Sequence, residues 1–316
     1  MRVRFDFDRP IARDGYAWWY IDAMSDDGRH GLTIIAFVGN VFSPYYARAR
    51  ARGDGDPENF CALNVALYGD GGKRWALTER SRAALHRTAT SLEIGPSAMT
   101  WDGTALVVRI DEITAPLPAR IRGVVRLHPS TPTGRTFALD AAGRQRWSPL
   151  APCSRVEVML DRPGLRWTGP GYLDSNAGDA PLERDFVRWD WSRAALPEAT
   201  VVLYDVMRRG GEEFSLALRC TPAGAVEEFV PPPRAQLKPG AIWRVERSTR
   251  ADGPHRPEVL RTLEDTPFYA RSMVRTCLLE RPVTAMHESL SLDRFRSGWV
   301  RMLLPFRMPR RARAFR

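Results

Sequence analysis

The chain has 316 residues, 44% of them hydrophobic and 27% charged, which is typical of a globular protein and excludes a disordered or fibrous one. The length predicts two domains or one large all-β unit. A net charge of +10 would favour nucleic acid or an anionic membrane as a partner. Lysine occurs only at Lys73 and Lys238, and most arginines alternate with acids, so we expect a solvated basic surface and no nucleic-acid partner.

The cysteines and the apolar runs indicate where such a chain can reside. Cys61, Cys153, Cys220 and Cys277 lie far apart and lack CxxC or Cys/His ligand spacing, which predicts free thiols in a reducing compartment. The N-terminal sequence lacks the apolar core of a signal peptide. The longest apolar run is far shorter than the ~20 residues that span a bilayer. We therefore expect a soluble or peripheral protein.

The chain reads as a series of short strands. Residues 18–39 form an apolar hairpin pattern around a turn at Asp26-Asp27-Gly28. The best helical candidate, residues 80–86, is short. Further β-rich or alternating segments follow along the chain at 61–68, 106–111, 120–127, 155–160, 187–191 and 214–218.

This pattern predicts an all-β, antiparallel sandwich or barrel. The proline-containing stretch around residues 149–152 is the linker-like break nearest the midpoint. We therefore predict an N-terminal β domain at 1–150 and a C-terminal β domain at 151–316.

Residues 167–183 combine aromatic rings, glycines and acids in a mixture that neither a regular helix nor a strand favours, so an irregular segment is expected. Gly169 and Gly171 would let its backbone bend. Within it, Tyr172 and Asp174 are two residues apart, and on an extended backbone they share a face. The phenol and the carboxyl would then point into the same space.

No serine-hydrolase, P-loop or Rossmann motif is present, and the histidines have no zinc spacing, so no metal is expected. Acids cluster at residues 20–22, 171–176 and 262–269, and each cluster alone is typical of a turn. The middle cluster differs because tryptophans precede and follow it. A carboxyl among rings is poorly solvated, so its pKa should rise and it should serve as a proton donor.

Several long segments together resemble one known family, the carotenoid 1,2-hydratases or hydroxyneurosporene synthases, over residues 16–310. The resemblance implies two lipocalin-like antiparallel β-barrel or sandwich halves and no redox cofactor. It also implies addition of water across the terminal 1,2 double bond of an acyclic carotenoid such as neurosporene or lycopene, giving a tertiary 1-hydroxy product. The segments are YIDAMSDDGRHGLTIIAFVGNVFSPYYARAR, DPENFCALNVALYG, IGPSAMTWDG, GPGYLDSNAGDAPLE, TLEDTPFYARS and MHESLSLDRF.

In that family the Asp of GYLD is the proposed acid, supported by the Tyr before it and by an upstream His-x-Trp pair. The matching residues are Asp174, Tyr172 and Trp147, but Gln145 stands where the family has His. Because Gln cannot titrate, we expect Gln145 to position water or the acid by hydrogen bonds and not to relay protons. We expect Trp147 to offer its π face to the cation.

The substrate has no polar handle, so apolar walls must bind it. We predict four aromatic residues for the wall of a tunnel: Trp167, Trp243, Phe268 and Tyr269. Glu264 and Asp265 form an alternative acid pair, or else they bond backbone amides.

The segment 301–316 holds six arginines and no acid. With a membrane-soluble substrate, it predicts peripheral attachment to the cytoplasmic side of an anionic photosynthetic membrane, where other enzymes of the carotenoid pathway would be partners. Two other functions stay open: a lipocalin-like carrier of a hydrophobic ligand, and a cyclase on the same fold. A carrier would tolerate Asp174→Asn.

Overall fold

The computed structural model describes residues 4–311 and confirms a largely antiparallel β protein. Strands of the first part of the chain are β1 (Tyr16–Met24), β2 (His30–Val38), β3 (Cys61–Gly69), β4 (Arg74–Leu77), β5 (Glu79–Arg80), β6 (Leu85–Arg87), β7 (Ser91–Ile94), β8 (Ser97–Trp101), β9 (Leu106–Ile113), β10 (Arg120–Pro129), β11 (Phe137–Ala138), β12 (Gln145–Arg162) and β13 (Leu165–Gly178).

The remaining strands are β14 (Phe186–Ala195), β15 (Thr200–Arg208), β16 (Glu213–Cys220), β17 (Val226–Glu228), β18 (Arg234–Leu237), β19 (Arg247–Arg250), β20 (Glu258–Asp265), β21 (Tyr269–Leu278), β22 (Arg281–Ser291) and β23 (Arg310–Arg311). The helices are α1 (Pro44–Ala51), α2 (Leu182–Asp185), α3 (Leu292–Arg296) and α4 (Gly298–Arg307), with 3-10 turns at Pro57–Asn59 and Arg82–Ala84. None of the helices within residues 4–311 has the length and apolarity needed to cross a bilayer.

The chain divides into two compact units. The first contains the residues up to Ala138, Ala142–Pro181 and those from Met302 on, and the second contains Leu139–Ala141 and Leu182–Arg301. The boundary predicted near residue 150 instead lies inside β12 of the first unit. Pro149 and Pro152 resemble linker residues in sequence because they fall where the β12 register shifts, and such irregular positions tolerate a missing N–H.

Across the described residues, the first unit forms a 14-stranded sheet in the order β23-β5-β3-β2-β1-β13-β12-β10-β9-β8-β7-β6, with β4 beside β3 and β11 beside β12. The outer strands of this order, β23 and β6, do not pair with each other, so the sheet does not close into a barrel. The second unit, counted over the same residues, holds a seven-stranded sheet in the order β17-β16-β15-β14-β22-β21-β20 and the two-stranded pair β18-β19.

The predicted hairpin is confirmed: β1 and β2 pair around Asp26-Asp27-Gly28, and Gly28 has a φ of +69° that favours glycine. The best helical candidate in the sequence, residues 80–86, does not form an α-helix. A 3-10 turn joins β5 to β6 there, because the segment is too short to repay helix nucleation. The four cysteines are free, as predicted.

The expectation of an irregular backbone around Tyr172 is also wrong, because β13 is one continuous strand between β1 and β12. The glycines of β13 do not bend the strand, but they let neighbouring strands approach it closely. A Cβ on Gly169 would lie 1.9 Å from the carbonyl oxygen of Met24, and one on Gly171 would lie 2.7 Å from Val156 Cγ1. Neighbouring strands therefore pack against β13 only because these positions lack side chains.

Alternation along β1, β2 and β13 separates two faces of the sheet. One face joins the apolar core through Ala17, Trp19, Ile21, Ala23, Leu32, Ile34, Ala36, Val38, Leu173 and Ala177. The other face carries eight residues that are all buried as well: Tyr16, Trp18, Tyr20, Asp22, Thr33, Tyr172, Asp174 and Asn176. We call the second one the polar face, and it holds the candidate site.

Candidate active site

Asp174 is the centre of a hydrogen-bonded group on the polar face. The Tyr172 hydroxyl donates to Asp174 Oδ2 at 2.7 Å, and the indole Nε1 of Trp147 donates to the same oxygen at 2.8 Å. Asp174 is only 4% exposed, and both donors are fully buried. The structure therefore brings together three of the residues that the sequence singled out.

The sheet explains why these three side chains meet. Tyr172 and Asp174 are two residues apart on β13, so the pleat directs both to one face. Trp147 lies opposite Asn176 on β12, on the same face and diagonal to Asp174. Its ring packs against Phe137, with centroids 5.7 Å apart, which fixes the direction of the indole N–H.

This geometry determines how Asp174 can handle a proton. Two donors occupy the lone pairs of Oδ2, so a neutral Asp174 carries its proton on Oδ1. Burial favours the neutral carboxyl, which is the proton-donating form. The two donors stabilise the carboxylate that is left once the proton has gone.

Trp147 meets Asp174 through the edge of its ring. The sequence suggested that its π face would shelter a cation, whereas the contact in the structure is a hydrogen bond in the plane of the indole. Trp147 thus contacts the Asp174 carboxyl directly, and a cation–π role for its face stays a prediction.

Gln145 lies two residues before Trp147 on the same face of β12. The Tyr16 hydroxyl donates to its Oε1 at 2.7 Å, and its Nε2 donates to the Ala180 carbonyl at 3.1 Å. Gly178 lies opposite Gln145, and a Cβ there would be 2.4 Å from Gln145 Oε1. The amide therefore ties the end of β13 to β1. Sequence reasoning did not find Tyr16, since only the strand pairing brings it near.

Trp167 does not adjoin Asp174. The two residues are separated by an odd number of positions on β13, and Trp167 packs against the apolar core on the opposite face. Its proposed place in a substrate wall is therefore not next to the acid.

The other predicted residues belong to the second unit. The Trp243 ring stacks on Trp299 at 5.8 Å, and Phe268 packs on Phe295 at 5.2 Å. Tyr269 begins β21, and Glu264 is buried on β20. Asp265 accepts hydrogen bonds from the amides of Ile242 and Trp243 at 2.8 and 3.3 Å, which is the amide-bonding alternative for this residue.

The second unit also buries a polar cluster that the sequence did not reveal. Ser192 Oγ lies 2.7 Å from His287 Nδ1, and His287 Nε2 lies 3.0 Å from Ser289 Oγ. Ser289 and Ser248 both donate to Asp190, at 2.5 and 2.9 Å. Burial raises the pKa of Asp190 to about 6 and lowers the pKa of His287 to about 3. We call this group the His287 cluster.

Metal ligation has no support among the residues described. No group of three or more His, Cys, Asp or Glu side chains within residues 4–311 is arranged to hold a metal ion.

Comparison with solved structures defines the class of fold. A proposed AttH from Nitrosomonas europaea aligns with a TM-score of 0.62 at 16% identity, covering 92% of this chain and 97% of that one. Kievitone hydratase from Nectria haematococca aligns with a TM-score of 0.57 at 11% identity, covering 92% and 93%. The chain is thus a two-unit antiparallel β protein of this fold, with a buried carboxyl held by aromatic donors.

Sequence comparison then gives the family. Residues 34–316 match the family described as carotenoid hydratase CrtC, and the chain belongs to it. An acyclic carotenoid 1,2-hydratase from Thiocapsa roseopersicina is 59% identical over 96% of this chain and 75% of its own length. One from Rubrivivax gelatinosus is 52% identical over 97% and 76%, and one from Cereibacter sphaeroides 41% identical over 88% and 98%.

Proposed function

We propose that this chain is a hydro-lyase that adds water to the terminal C1–C2 double bond of an acyclic carotenoid, giving the tertiary 1-hydroxy product. The observation that carries the proposal is the buried carboxyl of Asp174, with Tyr172 and Trp147 donating to one of its oxygens. The names of the relatives support the substrate class. Neurosporene and lycopene are the substrates proposed.

The first step is proton transfer from Asp174 to C2 of the alkene. The π electrons form the new C2–H bond, and positive charge is left on the tertiary carbon C1. The carboxylate that forms on Asp174 is stabilised by the Tyr172 and Trp147 hydrogen bonds, which strengthen as charge develops. Because these donors are already in place, little reorganisation accompanies proton transfer.

The second step is attack of water on C1, which forms the C–O bond and releases a proton. The sum is alkene plus water giving an alcohol, so the balance requires no oxidant or reductant. Exclusion of bulk water around the buried acid favours delivery of the proton to carbon over exchange with solvent.

Gln145 supports this site by position. Its amide links Tyr16 on β1 to the carbonyl of Ala180 just after β13. We propose that it holds the end of the strand that carries Asp174 and does not itself transfer protons.

The test is anaerobic incubation of the purified protein with detergent-dispersed lycopene and no added cofactor. We expect a mass gain of one water, and of two additional mass units when the water is H₂¹⁸O. The carrier alternative predicts bound but unchanged lycopene. Wild-type protein that binds lycopene and forms no adduct would overturn the proposed function.

We also propose that the protein attaches peripherally to an anionic membrane through α4. The support is an apolar stripe on one face of this helix that stays exposed: Trp299, Met302, Leu303 and Phe306. Its spacing is that of one helical face. Arg296 and Arg307 are exposed residues that flank the stripe in sequence, and their positive charge suits acidic headgroups. The last part of the arginine-rich segment, residues 312–316, lies outside the described residues.

Flotation with phosphatidylglycerol vesicles tests this attachment. Met302→Ser with Phe306→Ser should release most of the protein from the vesicles. Leu117→Ser with Val230→Ser, which changes two exposed apolar residues elsewhere, should leave binding unchanged. Equal flotation of the two double variants would count against α4 as the attachment site.

A further inference from the structure

A second buried carboxyl, that of Asp22, lies on the polar face beside the site. It is 0% exposed and stands directly opposite Tyr172 where β1 pairs with β13. Tyr20 stands opposite Asp174 in the same register, and its ring lies edge-on to that of Tyr172 at 6.2 Å. Asp22 is therefore one diagonal away from Asp174 on a shared face.

A buried hydroxyl adjoins Asp22 on its other side. Thr33 lies opposite Asp22 where β1 pairs with β2, and it is 3% exposed. Thr33 Oγ1 has no hydrogen-bond partner among residues 4–311, and neither has Asn64 Oδ1 on the same face of β3. A buried polar atom without a partner costs about 1–3 kcal/mol, so these atoms indicate where a small hydrogen-bonding ligand binds.

We propose that Asp22 is the base of the hydration reaction and that Thr33 helps to hold the attacking water. The inference rests on the proposed function and assigns the second proton transfer within it. The attacking water must lose a proton as it bonds to C1, and a second carboxyl on the same face can accept that proton while the Asp174 carboxylate stays bonded to Tyr172 and Trp147. Asp174 and Asp22 supply an acid and a base on one face of the sheet. Tyr172 lies opposite Asp22 and donates a hydrogen bond to Asp174.

The protons balance over one cycle. Asp174 gives its proton to C2 and becomes a carboxylate, and water then forms the C1–O bond. The proton released by that water passes to the carboxylate of Asp22, which becomes neutral. Transfer of one proton from Asp22 back to Asp174 restores both groups, and the net reaction consumes only alkene and water.

This assignment separates two steps that one experiment can distinguish. Without Asp22, Asp174 can still protonate C2, but the cation is not captured efficiently and returns to the alkene by losing a proton to Asp174. In D₂O the acid carries deuterium, so each such return can leave deuterium at C2 of the recovered substrate. Asp22→Asn should therefore exchange without hydrating.

The experiment incubates lycopene with wild type, Asp22→Asn and Asp174→Asn in D₂O, and mass spectrometry follows both product and recovered lycopene. We expect Asp22→Asn to hydrate roughly 100-fold more slowly or worse, with deuterium in the recovered lycopene. Asp174→Asn should give neither product nor deuterium. Hydration by Asp22→Asn near the wild-type rate, or loss of hydration without exchange, would overturn the role of Asp22.

Two further variants keep the result interpretable. Asp190→Asn removes an equally buried acid in the second unit and should hydrate at close to the wild-type rate. Thr33→Val should fold at least as well as wild type, because its hydroxyl has no protein partner, and should hydrate about tenfold more slowly with exchange retained.

If Asp22→Asn does not fold, Thr33→Val decides the test. A ratio of deuterium exchange to hydration equal to that of the wild type would overturn the proposal. Absence of hydration by the wild type would instead overturn the proposed function itself.

Discussion

The two units bury contrasting polar clusters on similar antiparallel sheets. Asp174 in the first unit is bonded by a phenol and an indole, whose aromatic rings limit the water around it. Asp190 in the second unit is bonded by the serine hydroxyls of Ser248 and Ser289. Both carboxyls are buried, so burial alone does not distinguish a reactive acid from a structural one.

The His287 cluster contains the residue types of a catalytic triad, yet its geometry indicates a structural role. Hydroxyl groups lie beside both ring nitrogens of His287, and burial lowers its pKa to about 3, which makes it a weak base. A satisfied network of this kind fixes strand positions in a core. On the polar face of the first unit, by contrast, the buried hydroxyl of Thr33 has no protein partner among the described residues.

The largest effect short of removing the acid should come from removing both of its donors. Trp147→Phe with Tyr172→Phe keeps the rings and deletes two hydrogen bonds to a charged group, each contributing about 1.5–3 kcal/mol. Lycopene turnover should fall at least roughly 100-fold. Trp191→Phe with Tyr204→Phe makes the same change among buried residues of the second unit and should retain activity within about threefold. Similar losses in both would contradict the comparison.

The next effect concerns stability in the second unit. Because the native pKa of Asp190 is raised to about 6, the folded protein binds more protons than the unfolded chain between about pH 4 and 6, and this contribution to stability is lost as the pH rises through that window. The Asp190→Asn variant has no carboxyl at this position, so its stability does not fall in this way as the pH rises.

The variant should therefore gain stability relative to wild type between pH 4 and 7, by on the order of 3 kcal/mol at most for a shift of about two pKa units. Urea unfolding of both proteins at pH 4 and at pH 7 measures this difference in the free energy of unfolding. A stability difference that is independent of pH would show that Asp190 does not titrate in this range.

The smallest effect is expected at Gln145, which the structure places in a strut between Tyr16 and Ala180. Gln145→His introduces a group with an ordinary pKa of about 6.5. We expect the kcat of this variant to stay within about threefold of the wild-type value. We expect no new titration in its pH–rate profile between pH 6 and 8. A new limb in the pH–rate profile would instead place position 145 on the proton path.

Period-two patterning was enough to predict the β fold and the hairpin of β1 and β2, because it reflects burial of one strand face. It could not predict that Trp167–Gly178 lies on a regular strand, since Gly169 and Gly171 serve contacts with Met24 and Val156 that are distant in sequence. The break at residue 150 misled for a related reason: prolines at register shifts resemble linker prolines.

The candidate site, like the fold, could be predicted only in part from the sequence. The spacing of Tyr172 and Asp174 placed them on one face from local geometry alone, and the structure confirms their contact. Tyr16 is 129 residues from Gln145, and Asp22 is about as far from Tyr172. Their positions beside these residues depend on the pairing of β1 with β13 and on the contact of β1 with β12. Long-range strand register is the information that one sequence does not contain.

Turnover of Asp174→Asn measured beside Asp190→Asn tests most directly whether the first cluster is reactive and the second structural. Each change replaces a buried carboxyl with its amide, and lycopene binding reports whether each variant is folded. We predict that Asp174→Asn binds lycopene but hydrates it at least roughly 100-fold more slowly, since general acid catalysis contributes about 10²–10⁴-fold. Asp190→Asn should remain within about threefold of wild type. Retained hydration by Asp174→Asn, or its loss in Asp190→Asn alone, would contradict the account.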